Sequence, residues 1–332
     1  MTKRTNSFDA LKLFCAFLVV CIHAPFSWEE GYVAAVSEAA VPVFFMISGF
    51  FYESVKERGR EKIQVIKIVK LIIISNLFYL IWHLFIYGIS GGGKEYLLSV
   101  FNLKALWEFL VFNESPVSIH LWYLGSFLYV LILVGFLSKK NLMDKVYWLI
   151  PILLLCDLVL GKYSIVIWGR DFYYLYSRNF LFAALPYFLL GCLIKKKKEI
   201  IINYFSNKRF FLPVLVALFA ATTVIARYIL IKNGLNATRE HYLSTTGLAL
   251  SLFFMALARK QQADNWLIKL GRENSTFIYI IHLFVKDVVA LVVPDSLTGT
   301  YLAIRPVIVF VVSLIVSIIH NMLVHTVSQK CN

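Results

Sequence analysis

Three ionisable residues sit inside the first apolar stretch of the chain, FDALKLFCAFLVVCIHAPF from Phe8 to Phe26: Asp9, Lys12 and His23. A charge at membrane depth is costly, so such groups turn toward a protein interior or a water-filled cavity and are candidates for function. Lys12 and His23 are 11 residues apart, a separation that returns them to nearly one helical face about 16 Å apart along the axis. Asp9, three residues before Lys12, is placed to pair with it. Glu38 lies near the start of the second apolar stretch. If that stretch enters from the side at which the first one exits, Glu38 reaches a depth similar to that of His23. A carboxylate beside an imidazole fixes its tautomer and raises its basicity. The pair then reads either as a general base for a hydroxyl or as a polar staple between two helices.

Other residues offer binding rather than bond-making. Lys67 and Lys70 stand three residues apart at the start of the third apolar stretch, and with Lys12 they are suited to a phosphate-bearing ligand. Lipid headgroup contact is the alternative, the more so for Lys67. Pro42 and Ser48-Gly49 interrupt the second stretch, in VPVFFMISGFF. Such breaks belong either where a helix opens beside a cavity or where two helices pack closely. His120 and Tyr123 in HLWYL, Arg178 ahead of Pro186 and Gly191, and His282 in IYIIHLF complete the set. Tyr279 and Lys286, three and four residues from His282, share its face. Each of these reads equally as an interfacial or helix-packing polar group. His83, His241, His320 and His325 are read as interfacial or packing residues. There is no glycine-rich phosphate loop, nucleophile elbow, HExxH or metal-ligand spacing.

The elements that must hold these residues are helices in a bilayer. The chain has 332 residues, is 60% hydrophobic, and has a mean hydropathy of +0.74, which fits a polytopic helical membrane protein. Ten apolar segments have spanning or near-spanning length: 7–27, 33–53, 66–88, 121–138, 146–160, 178–194, 210–231, 243–259, 274–293 and 301–326. With the N-terminus cytoplasmic, 21 Lys and Arg fall in cytoplasmic loops and ends and 6 in outer loops. That bias predicts ten spans with both termini inside. It also accounts for the net charge of +14 without nucleic acid. Lys3 and Arg4 before an apolar stretch look like a signal peptide, but no small-x-small cleavage site follows, and the segment is expected to remain as the first span. Four of the five cysteines lie in apolar runs, so neither a disulfide framework nor a zinc site is expected. No loop is long enough for a soluble domain, and residues 1–332 are expected to form one all-α integral-membrane domain.

Two outer loops stand out. Residues 89–120 open on Gly91-Gly92-Gly93 and continue through LLSVFNLKALWEFLVF, whose apolar spacing predicts an amphipathic surface or re-entrant helix. Residues 161–177 carry Tyr163, Trp168, Phe172, Tyr173, Tyr174 and Tyr176. They read as an interfacial aromatic belt or as a stacking platform for sugar rings.

FDALK followed by His23, then VPVFFMISGFF, HLWYL, an Arg-led sixth span and GRENSTFIYIIHLF, in this order over residues 7–326, resemble the membrane acyltransferase family 3. The resemblance implies a ten-helix bundle that takes an acyl group, typically acetyl, from cytoplasmic acyl-CoA to a hydroxyl of a cell-surface or lipid-linked carbohydrate. It implies a multi-pass protein of the bacterial cell membrane, with acyl-CoA as co-substrate and no bound cofactor. The family pattern of an Arg, ten residues and a His is met by His23, with Lys12 in the Arg position, so charge is kept and bidentate geometry lost. Lys67 and Lys70 fall where a basic pair is expected. His23, oriented by Glu38, becomes the base or a transient acyl carrier. Lys12, Lys67 and Lys70 become donor-binding residues, and Asp9, Ser48, His120, Tyr123, Arg178 and His282 line the substrate path. A partner enzyme for the final transfer is compatible with the absence of a fused acceptor-handling domain.

A transporter of a small polar solute or lipid-linked sugar is the competing reading, since broken helices and buried His and Lys occur there too. The sequence shows no matching halves to favour it. A side branch of the same family, membrane parts attached to amino-acid racemases, is linked to amino-acid uptake, but this chain lacks the soluble racemase portion.

Overall fold

In the computed structural model, residues 6–206, 208, 210–237, 241–259 and 263–330 are described. Lys3, Arg4, Arg209, Arg239, Lys260 and Cys331, which enter the charge and cysteine readings above, lie outside them. The described residues are helical, with no strand. In chain order the helices are α1 (Asn6–His23), α2 (Tyr32–Ser37), α3 (Ala40–Glu57), α4 (Glu61–Ile89), α5 (Gly93–Val100), α6 (Leu103–Phe112), α7 (Trp122–Lys139), α8 (Met143–Val146), α9 (Leu149–Leu160) and α10 (Ser164–Trp168). There follow α11 (Leu185–Lys196), α12 (Lys198–Phe205), α13 (Phe211–Lys232), α14 (Leu243–Ala258), α15 (Trp266–Val292) and α16 (Thr298–Lys330).

Among the described residues, seven helical segments are long and apolar enough to cross a membrane: Asn6–His23, Tyr32–Glu57, Glu61–Ile89, Ile119–Lys139, Phe211–Lys232, Trp266–Val292 and Asp295–Val324. They correspond to seven of the ten segments expected. The other three form shorter helices: α9 with 12 residues, α11 with 12 and α14 with 16. Their physical limits are visible. Gly161 ends α9, Pro186 lies in the first turn of α11 behind a single turn of π-helix at Phe180–Ala184, and Leu243 opens α14. The loop at 89–120 is not one amphipathic helix but two, because Asn102 leaves the helical conformation and caps α6 by accepting from the Ala105 N–H at 2.9 Å.

The chain divides into two compact units, one of Met1–Phe44, Glu199–Tyr228 and Leu243–Asn332, the other of Phe45–Lys198 and Ile229–Tyr242. In the first unit α1 is central and packs on α2, α14, α15 and α16. Leu13, Ala16, Val20 and Ala24 meet Ile278, Ile281, Val285 and Val309 in a buried cluster. Gly271 brings α15 onto the backbone of α1, where a Cβ would collide with the Asp9 carbonyl. Ser7 closes the other side by donating to the Ala256 carbonyl at 2.6 Å.

The second unit joins α4 to α7 and packs the π-turn against α7, α9 and α11. Its tightest crossing is between α3 and α11. A Cβ on Gly49 would strike the Phe188 carbonyl, and one on Gly191 would strike the Met46 carbonyl. The Cys192 thiol donates to the Gly49 carbonyl at 3.3 Å. The Ser48-Gly49 interruption therefore marks close packing, in which small residues let two backbones approach. The α-helix runs through it from Ala40 to Glu57.

Candidate functional site

In the first unit the two ends of α1 carry separate polar groups. At one end Asp9, buried, accepts from Lys12 Nζ at 2.9 Å and from Arg272 Nε at 3.1 Å. The expected Asp9–Lys12 pair is present, and Arg272 of α15 joins it. The Arg272 fork also grips Asp264 with two bonds of 2.8 and 2.6 Å, the planar bidentate geometry that a lysine cannot supply. Two cations thus meet two carboxylates, and the Lys12 ammonium is already engaged. Arg272 stands in the quoted GRENS stretch, but only the crossing at Gly271 shows that it turns toward Asp9.

At the other end His23 is the last residue of α1. Its ring lies 5.2 Å, centroid to centroid, from that of His282 at an interplanar angle of 38°. His282 is fully buried, and its Nδ1 donates to the Tyr279 carbonyl at 2.7 Å. A carbonyl only accepts, so the proton resides on Nδ1 and the Nε2 lone pair is left as the acceptor. Two imidazoles from α1 and α15 therefore share one place, a pairing that spacing along either helix does not predict. The segment after His23 is tied to the start of α16. Arg305 donates twice to the Pro25 carbonyl at 3.2 and 2.8 Å, and Ser27 N–H bonds the Leu302 carbonyl at 3.1 Å. Glu38 sits between α2 and α3 and is half-buried, its backbone N–H bonded to Ala34 O at 3.1 Å. α2 is held in turn by Glu29, whose carboxylate caps it through the Val33 N–H.

The second unit holds the remaining residues. The hydroxyls of Ser48 and Tyr123 are hydrogen-bonded, and the Tyr123 ring packs 4.6 Å from Phe45. His120 is buried, with Nδ1 2.9 Å from Ser118 Oγ and its ring edge-on to Tyr79 at 4.9 Å. Arg178 is buried and donates to Glu114 Oε1 at 2.8 Å. Its guanidinium lies over the rings of Tyr174 at 4.4 Å and Trp122 at 5.8 Å. Burial raises the Tyr174 phenol above its ordinary range; Glu114 adds to this and Arg178 opposes it. Glu114 is the residue that reading the chain passed over. It follows Asn113, whose left-handed conformation ends α6 and whose side chain bonds Ser126 Oγ at 2.6 Å. Two of the loop aromatics, both exposed, also reach α6: Tyr173 donates to Glu108 at 2.7 Å, and Tyr176 packs 6.1 Å from Phe112. Lys67 and Lys70 are exposed on α4 and join none of these clusters.

A family model described as an acyltransferase domain, the type 3 acyltransferases, matches residues 5–323. The chain belongs to acyltransferase family 3. Neither the curated proteins nor the solved structures contain a significant match to it. The match spans both units of this acyltransferase, from α1 to the interior of α16. With its apolar helices, the family makes the chain a multi-pass membrane acyltransferase.

Proposed function

We propose that this acyltransferase moves an acyl group, in the simplest case acetyl, from cytoplasmic acyl-CoA to a hydroxyl of a cell-surface or lipid-linked carbohydrate. The observation that carries the reading is the His23–His282 ring pair at the end of the central helix of the first unit, in a chain of an acyltransferase family. An imidazole is suited to this chemistry because its ordinary pKa lies near neutrality. His23 takes the proton of the acceptor hydroxyl as the oxygen attacks the thioester carbon. The carbon–sulfur bond then breaks, and the leaving thiolate recovers the proton from the imidazolium. His282, with Nδ1–H held by Tyr279, positions the His23 ring, and Glu38 is assigned the orienting carboxylate. Lys12, Lys67 and Lys70 are assigned to the donor. Asp9, Ser48, His120, Tyr123 and Arg178, with His282, are assigned to the substrate path.

The same reading takes the protein as a ten-span protein of the bacterial cell membrane with both ends in the cytoplasm. The charge bias of the loops supports it. The test is His23→Ala, assayed for acyl transfer to surface glycan. Transfer is expected to fall by two to four orders of magnitude, roughly the contribution of a positioned base, with the thermal unfolding temperature retained. Glycan acylation at the wild-type level would refute His23 as the base.

A further inference from the structure

The second unit contains a cavity of about 370 Å³ that none of the assignments above uses. Its wall is built from the ends of three helices and the turn between α7 and α9. Tyr52 and Lys56 come from α3, Asp144 and Tyr147 from α8 and the residue after it, and Lys195 and Lys196 from the end of α11. These are segments that the positive-inside bias assigns to one face of the membrane, and the structure brings them together. Lys196 reaches across to Asp144 at 2.5 Å.

Two observations point to a ligand. The first is the Tyr52 hydroxyl. Tyr52 is 2% exposed and lines the cavity, yet its hydroxyl has no hydrogen-bond partner among the described residues. A buried donor left unmade costs free energy that a bound acceptor would recover. The second is the charge balance. Lys196 is engaged by Asp144, and Lys56 stands 4.0 Å from Glu53. Lys195 has no carboxylate within ion-pair distance among the described residues and lies over the Phe50 ring at 5.1 Å. One cation is therefore uncompensated beside an unsatisfied donor, and the Lys196–Asp144 pair, largely exposed, is cheap to exchange for another anion. The space falls within the range of small-molecule sites.

We propose that this cavity binds a phosphate group through Lys195, Lys196 and the Tyr52 hydroxyl. On the acyltransferase reading above, on which this assignment rests, the phosphate belongs to the nucleotide end of the acyl-CoA donor. Lys12, already bound by Asp9, and Lys67 and Lys70, out on α4, are then secondary to it. An anionic lipid headgroup presents the same chemistry, so the experiment separates the two sources.

Full-length protein in nanodiscs of zwitterionic lipid is titrated with coenzyme A and with adenosine 3′,5′-bisphosphate by calorimetry. Matched nanodiscs containing phosphatidylglycerol are run in parallel. Saturable binding of both nucleotides is expected, weakened roughly tenfold by Lys195→Ala and severalfold by Tyr52→Phe. Lys94→Ala, on α5 and outside the cavity wall, should bind as the wild type does. Tyr52→Phe removes only a hydroxyl without a partner among the described residues, so its unfolding temperature is expected to stay unchanged and the loss to be one of binding. If the wild type binds coenzyme A and both cavity variants bind it equally well, the cavity assignment falls while the acyl-CoA reading stands. If coenzyme A does not bind, and phosphatidylglycerol stabilises the protein in a Lys195-dependent way, the site is a lipid site and the nucleotide assignment is overturned. If neither ligand binds, both this inference and the coenzyme A donor are refuted.

Discussion

His23 and His282 illustrate how a residue's role is set by its immediate partner. The Tyr279 carbonyl fixes the proton of His282 on Nδ1, so the imidazole beside His23 is presented in one tautomer. His282→Gln retains a polar side chain but not this ring contact. We expect it to lower turnover by one to two orders of magnitude, with the acceptor KM changed little, because it disturbs a base rather than a binding surface. Steady-state kinetics on the purified protein would check this. Arg178 and Glu114 make the opposite kind of pair, buried on both sides and braced by Tyr174 and Trp122. Removing one partner strands a charge in the interior, which typically costs about 3–5 kcal/mol. Glu114→Ala is therefore expected to unfold at a clearly lower temperature. The double replacement Glu114→Leu with Arg178→Met should recover much of that loss. A single variant as stable as the wild type would show that the pair carries little of the stability.

At the scale of the element, glycine decides how closely helices approach. Gly49 and Gly191 face the Met46–Phe188 backbone of the crossing from opposite sides, and Gly271 does the same for α1 and α15. In lipid, helices associate through such packing rather than through a hydrophobic drive. Gly191→Val is expected to cost about 1–3 kcal/mol or more through overpacking and to lower the unfolding temperature. Gly299→Ala, where a Cβ meets open space, should be neutral or slightly stabilising. Thermal unfolding in detergent compares the two. Equal stability of Gly191→Val and the wild type would mean that the crossing relaxes freely. The π-turn before α11 is a second element-scale feature. Asn179 Oδ1 accepts from the Leu181 and Phe182 N–H groups at 2.9 and 3.2 Å, so the turn is capped immediately after Arg178.

For the whole molecule, the charge asymmetry of the loops makes a topological prediction. α4 runs from Glu61 to Ile89, about 43 Å at the helical rise, enough to cross a bilayer. Cysteines placed at Glu57 and Lys94, in a background lacking the native ones, are therefore expected to react with a membrane-impermeant thiol reagent from opposite faces, Lys94→Cys from outside. Labelling of both from the same face would refute the ten-span arrangement.

The sequence alone determined the membrane class, the helical nature of the segments, the register of Asp9 and Lys12 on α1, and the family. All of these depend on composition or on the helical period, which are local. The segments at 146–160, 178–194 and 243–259 were legible as apolar and read as spans, but they form shorter helices; Gly161, the π-turn and Pro186 act on one turn at a time, which the apolar character of a whole segment does not register. Tertiary structure decided the partners. Arg272 at Asp9, Glu114 at Arg178, His282 at His23, and the lysines around the unmet Tyr52 hydroxyl all come from residues far apart in the chain. Nothing in one helix's period says which neighbour it will face, because lipid is equally apolar on every side. That choice is made where small residues let two backbones meet and buried polar groups find each other.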